Sequence, residues 1–274
     1  MVKESKTNKM TKFSNKKKEI NYNRSIIKGI NVLKCFSNEN PELSISEISK
    51  MCDMTQSTTY RIMVTLTKEH LLNKNNQSGN YRLGLAHLSL ANQVISYDQM
   101  SQVARSELPR LAEETGCNAN MARIFNEKAI YICRMDSPHN RYSRAMLGRE
   151  IPLYCTGLGK ALLMDMSIEE IEDLIGKGPF KKYTKTTILS TKSLYTEIKK
   201  SLEDGYIFDN AEMNPAAACF AAPIRGKNNE IIASISISTE KLGFNKKNKD
   251  RFIQSLLYSA KMLSTALGHQ ASFV

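Results

Sequence analysis

The stretch LSISEISKMCDMTQSTTYRIMVTLTKEHLL, residues 43–72, reads as two short helices joined by a tight turn. Ser44 and Glu47 form a capping box at the start of the first helix, and Ile45, Ile48 and Cys52 give it an apolar face. Asp53 and Met54 make the connection, and Thr55 caps a second helix that turns Ile62, Met63 and Leu66 inward. This is helix-turn-helix spacing, in which the second helix enters the DNA major groove N-terminus first. Such a helix needs donors and acceptors on its first exposed turns, and here those positions hold Gln56, Ser57, Thr58, Tyr60 and Arg61. Gln and Arg can bond base edges, while Ser, Thr and Tyr suit phosphates. On this segment alone, a polar face that is merely solvated stays open as the alternative.

The flanks extend the pattern. SIIKGINVLKCFS, residues 25–37, places Ile26, Ile27, Ile30, Leu33 and Phe36 on one stripe and predicts a first packed helix. LLNKNNQSGNYRLG, residues 71–84, predicts strand, turn and strand, with Ser78-Gly79 at the tip and Lys74 and Arg82 on the arms. A hairpin directly behind a recognition helix makes a wing that lies along the DNA backbone or minor groove. Residues 84–115 are helical by period, with weak points at Ser96–Asp98 and Pro109 and an end at Gly116. Leu85, Leu88, Leu90 and Val94 supply more apolar surface there than one helix can hide, which points to a dimer contact.

Beyond Gly116 the period alternates between strand and helix. NANMARIF (118–125) and AIYICRM (129–135) flank a hairpin turn at Asn126-Glu127, and SRAMLG (143–148) is expected as a third strand. Helices are expected at 157–164, 167–175 and 191–203, the second with a Ser167/Glu170 capping box. Strands return at GYIFDN (205–210), ACFAAPIRG (218–226) and IIASISIS (231–238), before a closing helix at about 246–269. Antiparallel strands with helices beside them give an α+β, sensor-like domain. In IIASISIS, Ser234, Ser236 and Ser238 share one face and Ile235 and Ile237 the other, so isoleucines in the core would leave the serines facing water or a cleft. Their hydroxyls could serve a carboxylate or a sugar oxygen. The alanines around Cys219 leave volume for a ligand, or let a helix pack closely.

Composition bounds the rest. A chain of 274 residues exceeds the usual single-domain size, so two domains are expected. Net charge is +12, and half of that excess lies in residues 1–24, in a polar tail expected to be disordered. The longest uncharged apolar run, Ala216 to Ile224, is far too short to span a membrane, and the first residues carry no apolar signal core, so a cytoplasmic protein is expected. The six cysteines contain no CxxC, and the four histidines pair with neither one another nor a cysteine at helical spacing, so no cofactor and no metal are expected. A thiol hydrolase built on Cys219 would need a base, and the candidates His139 and His269 come with no oxyanion-hole signature, so no enzyme is expected. TGLGK, residues 156–160, lacks the full phosphate-loop pattern, which argues against nucleotide binding.

Over about residues 22–270 the chain resembles the IclR family of bacterial transcriptional regulators. The resemblance rests on the opening stretch, whose second helix begins Ser-Thr-Thr-x-Arg, on PLYCTGLGKALL (152–163), on GYIFDN and on CFAAPIRGKNNEIIASISIS (219–238). It implies a winged helix-turn-helix joined by a linker helix to a GAF-like effector-binding domain. It implies a dimer or dimer of dimers that binds double-stranded operator DNA and is modulated by a small metabolite, a carboxylate or sugar acid. The domains would be a basic tail at 1–21, the DNA-binding domain at 22–84, the linker at 85–100 and the effector domain at 101–274. Carried over position by position, the effector pocket would involve Gly157, Leu158, Asp209, Cys219, Ser236 and Ser238. Asp209 would repel a carboxylate, so it is expected to hold its loop or accept from a ligand hydroxyl. The chain departs from the family at DNAE (209–212), where many members carry an acidic run, and at Ala216, where a glycine is usual. Leu158 is bulkier than the alanine often found there and is expected to shrink the pocket. Two other readings are a second domain that only oligomerises and a cysteine-dependent hydrolase using Cys219.

Overall fold

In the computed structural model, which describes residues 22–138, 146–240 and 248–270, the chain divides into two compact units, residues 1–91 and 92–274. The first is built from α1 (Arg24–Lys34), α2 (Ile45–Met51), α3 (Gln56–Lys68), β1 (Leu72–Lys74) and β2 (Tyr81–Leu83). Each helix start is set by a side chain. Asn23 Oδ1 accepts from the N–H groups of Ser25 and Ile26. Ser44 and Glu47 form the expected capping box, and Thr55 Oγ1 accepts from Thr58 N. Asp53, at φ 49°, makes the left-handed turn between α2 and α3. Val32, Ile48, Met63, Leu72 and Tyr81 form the core, and Leu43 adds an isolated antiparallel bridge to Tyr81 beside the wing.

The expected stripe on α1 is only half right. Val32 is fully buried and Leu33 and Phe36 pack against the core, yet Ile26, Ile27 and Ile30 are exposed. Three short helices and a two-stranded ribbon offer too little surface to cover the first turns of α1. Ile26 and Ile30 instead line an open groove shared with Tyr60, Ile62 and Val64 of α3.

α4 (Ala86–Tyr97) has no buried residue, and α5 (Gln99–Thr115) starts at Asp98, whose Oδ2 accepts from Ser101 N at 2.8 Å. The predicted weakness near residues 96–98 is thus a helix boundary. The predicted weakness at Pro109 is overturned, because α5 runs straight through it. A proline inside a helix costs roughly 3 kcal/mol. Burial of Leu108 and Leu111 beside it contributes about as much in the opposite sense. Gly116, at φ 67°, closes the helix as expected.

The second unit is a six-stranded sheet of β3 (Asn118–Phe125), β4 (Lys128–Met135), β5 (Glu150–Pro152), β6 (Ile207–Asp209), β7 (Ala217–Arg225) and β8 (Ile231–Glu240). The order is β5-β4-β3-β8-β7-β6, and every pair is antiparallel. Its helices are α6 (Gly157–Leu162), α7 (Ile168–Ile175), α8 (Thr191–Lys200) and α9 (Lys249–Ala266). Leu108 and Leu111 of α5 and Phe252 and Leu256 of α9 cover one sheet face through Met121, Phe220, Ile235 and Ile237. The other face lies under α6, α7 and α8, with Leu158, Leu162, Ile171 and Leu194. This is the α+β class expected from the alternating pattern, and the GAF-like arrangement that the family resemblance implies. The expected strand at 143–148 is corrected: Met146 to Gly148 form a turn, residues 143–145 lie outside the described set, and β5 takes that edge of the sheet. Among the described residues no helix is long and apolar enough to cross a membrane.

Candidate functional site

On α3 the structure leaves Gln56, Ser57, Tyr60 and Arg61 exposed on the first turns. Thr58 is half-buried, and its hydroxyl accepts from Thr55 Oγ1 at 2.9 Å, so part of its capacity is spent on the cap. Lys74 and Arg82 are exposed on the wing, but the register pairs Asn73 with Arg82 and Lys74 with Tyr81. Paired residues share a face of the ribbon, so the two bases point to opposite sides, with the Lys74 ammonium 5.7 Å above the Tyr81 ring. The sequence pattern did not reveal that split.

In the second unit the sheet register assembles the other candidate residues. Asp209 of β6 pairs with Cys219 of β7, which pairs with Ser238 of β8. One same-face step along, Ala221 pairs with Ser236 and Ser236 with Asn120 of β3. α6 closes over these rungs. A Cβ on Gly157 would lie 3.0 Å from Cys219 Sγ and 3.3 Å from Ala221 Cβ, so a larger residue would press on both, and glycine lets the helix start sit this close without a shift. The result is a cavity of about 150 Å³ lined by all six predicted residues: Gly157, Leu158, Asp209, Cys219, Ser236 and Ser238. Asn120, Tyr131, Arg149 and Met213 also line it, and none of these four was foreseen. Asn120 had a readable signal, since the alternation Asn118, Asn120, Ala122 puts polar groups on a face that β3 buries. Tyr131 and Arg149 had none, because β4 and β5 meet there only through long-range pairing.

The serine face does not simply meet water. Ser236 and Ser238 line the cavity, whereas Ser234 is fully buried and donates to Leu158 O at 2.9 Å. Burial pushes the Asp209 carboxyl above its usual value, against backbone N–H donation from Glu212 and Gly157. The bond from Glu212 N to Asp209 Oδ1 is 3.0 Å, which matches the expected loop-holding role. Burial, with Asp209 beside it, drives the Cys219 thiol well above the ordinary range, the reverse of what a nucleophile needs. Tyr131 is raised in the same way, first by burial.

One ion cluster was missed entirely. Lys160, in the TGLGK turn, has no exposed surface, and its ammonium donates to Glu197, to Glu212 Oε1 at 2.6 Å and to Phe208 O at 3.2 Å. Glu212 is the acid kept in DNAE, and burial pushes its carboxyl up to about 7 against the pull of Lys160. These partners stand 37 and 52 residues from Lys160, beyond any local pattern.

For thiol chemistry the geometry is poor. His139 lies outside the described residues, and His269 sits at Gly226 O, at 3.3 Å. Gly226 is seven residues from Cys219, just past the end of β7, a distance of about 23 Å at strand spacing. Among the described residues no group of three or more His, Cys, Asp or Glu side chains could hold a metal ion.

Residues 92–265 match the family model described as bacterial transcriptional regulator IclR C-terminal, and residues 25–75 match the IclR helix-turn-helix domain. The HTH-type transcriptional regulator KdgR of Escherichia coli (strain K12) is 28% identical over 248 residues, covering 89% of this chain and 93% of that protein. XynR of the same strain is 25% identical, covering 90% and 98%. The solved structure of an IclR-type transcriptional regulator from Alicyclobacillus acidocaldarius shares the fold at a TM-score of 0.80 and 22% identity, over 90% of this chain and 100% of that one. So does an IclR homolog complexed with 4-hydroxybenzoate from Microbacterium hydrocarbonoxydans, at 0.73 and 18% identity, over 89% and 98%.

Proposed function

Because the chain belongs to the IclR family of bacterial transcriptional regulators, whose members bind DNA through a helix-turn-helix, we propose that it is an operator-binding regulator switched by a small metabolite held in the cavity of its second unit. The metabolite is a carboxylate or sugar acid, and the site comprises Gly157, Leu158, Asp209, Cys219, Ser236 and Ser238. The observation that carries this reading is the convergence of those six residues, drawn from β6, β7, β8 and the start of α6, on one cavity. The solved homolog that carries 4-hydroxybenzoate is a precedent for a hydroxylated acid on this fold.

On this reading Gln56, Ser57, Thr58, Tyr60 and Arg61 of α3 meet the major groove, and Lys74 and Arg82 of the wing meet the backbone. Residues 22–84 form the DNA-binding domain, 85–100 the linker and 101–274 the effector domain. The protein works in the cytoplasm, without cofactor or catalysis, as a homodimer or dimer of dimers. Exposed apolar residues support self-association: Leu85, Leu88, Leu90 and Val94 at the linker, and Ile26 and Ile30 on α1. A filled cavity shifts the packing of paired sensor units and, through residues 84–115, the spacing of the two recognition helices. Half-sites about one helical turn apart make affinity sensitive to that spacing. A thermal-shift screen of organic and sugar acids, followed by operator binding with the hits, tests the reading. Stabilisation by one acid together with a change in operator affinity is expected, and no response to any acid would favour a domain that only oligomerises.

A further inference from the structure

Two polar atoms on the inner wall of the cavity lack a partner. Asn120 Oδ1 and Ser236 Oγ make no hydrogen bond, although their residues are 2% and 1% exposed and face each other across the β3–β8 register. Ser236 has Cys219 beside it, but sulfur is too weak an acceptor to satisfy a hydroxyl. Leaving two such groups dry is costly, so the wall is made for an occupant that bonds to them.

Their chemistry limits that occupant. Asn120 Nδ2 donates to Ser238 Oγ at 3.3 Å, and Ser238 Oγ donates onward to Asn118 O at 3.5 Å. This chain fixes the amide orientation, so the atom facing the cavity is the carbonyl oxygen, which only accepts. Asp209 on the same wall also accepts. A carboxylate would meet acceptors here and be repelled. An alcohol satisfies both orphans, because its O–H donates to Asn120 Oδ1 while its oxygen accepts from Ser236 Oγ–H. A keto oxygen has no proton for Asn120, and an ammonium has no lone pair for Ser236. The half-buried Arg149 supplies the cavity with a guanidinium, suited to a carboxylate at the other end of the ligand. A cavity of about 150 Å³ is the size that holds a benzene ring, so about six or seven heavy atoms fill it.

We propose that the cavity recognises a short hydroxycarboxylate of three or four carbons, seated hydroxyl-first on Asn120 and Ser236 with its carboxylate toward Arg149. The proposal rests on the effector reading above and narrows it from acids in general to one size and one polarity.

The test compares lactate, pyruvate and alanine, which differ at one carbon substituent, and then 2-hydroxybutyrate and 2-oxobutyrate. Each is titrated calorimetrically into the full-length protein and added to its complex with a DNA site selected from a random-sequence pool. Each hydroxy acid is expected to bind about tenfold or more tighter than its oxo or amino counterpart. Asn120→Leu, checked for folding by its melting curve, is expected to erase that margin, and Ser236→Ala to narrow it. Should Asn120→Leu fail to fold, Ser236→Ala decides. Equal binding of the oxo acids, or a margin unchanged in the variants, overturns the proposal. If six-carbon sugar acids or aromatic acids change operator affinity and the short hydroxy acids do not, the proposal falls and the effector reading survives. If no acid of any size changes operator affinity, the effector reading fails as well.

Discussion

Lys160 keeps its charge with no exposed surface because two carboxylates and a carbonyl surround it. Removing two or more ions from water costs several kcal/mol each, so such a cluster is more a device of position than a source of stability. Here it ties α6 to α8 and, through Glu212, to the loop that follows Asp209 at the end of β6. The pH consequence follows from Glu212, whose carboxyl burial raises from the usual 4.5 to about 7. A group that binds its proton more tightly when folded stabilises the fold below its unfolded pKa, and that contribution is lost as pH rises through the folded value. Denaturant unfolding is therefore expected to show stability falling between about pH 4.5 and about 7, by at most about 3 kcal/mol, with a flatter profile in Glu212→Gln. An equal slope in the variant would show that another group titrates. Packing gives a second prediction at this scale. A Cβ on Gly159 would lie 2.5 Å from Leu153 Cα and O, so Gly159→Ala is expected to lower the melting temperature of the unit, with a loss of about 2 kcal/mol or more. Single residues were the least legible part of the sequence. The type of Cys219 invited a reactive role, and only its surroundings make it an inert wall.

Secondary elements were read best where the signal is local. The caps at Ser44, Thr55 and Ser167, the turn at Asn126 with φ 54° and the helix end at Gly116 all follow from the chemistry of two to four adjacent residues. The misreadings share one cause: α1 and Pro109 were judged by periodicity and intrinsic preference, while their outcome depends on which neighbours arrive to cover them. The same division separates the predicted wall of the cavity, whose six residues were named, from Asn120, Tyr131 and Arg149, which join it through strand pairing. At this scale α3 and the wing have distinct expected signatures. If Arg61 reads a base, Arg61→Ala weakens binding of the selected DNA site by ~1–3 kcal/mol and relaxes sequence preference. Of Lys74→Ala and Arg82→Ala, the variant whose side chain reaches the DNA backbone weakens all sequences alike and reduces the salt slope by about 1. Because the two bases face opposite sides of the ribbon, one of the two wing variants is expected to act more strongly than the other. Unchanged affinity for Arg61→Ala in a salt titration would contradict the placement of α3.

For the molecule as a whole, charge and exposed carbon point to its partners. A net charge of +12, half of it in residues 1–24, suits a polyanion, and removing residues 1–21 is expected to lower non-specific DNA affinity and its salt slope together. Leu85, Leu88, Leu90 and Val94 are all more than half exposed, so Leu88→Glu is expected to raise the monomer fraction in sedimentation. The proposed switch requires that an occupied cavity change operator affinity. Fluorescence anisotropy of the selected DNA site, with and without an acid that stabilises the protein, tests it most directly when wild type is compared with the Ser236→Ala, Ser238→Ala double variant. The ligand is expected to shift the wild-type dissociation constant by about 5- to 150-fold, and the variant is expected to bind DNA with wild-type affinity but not to respond. A double variant that responds as the wild type does would contradict it.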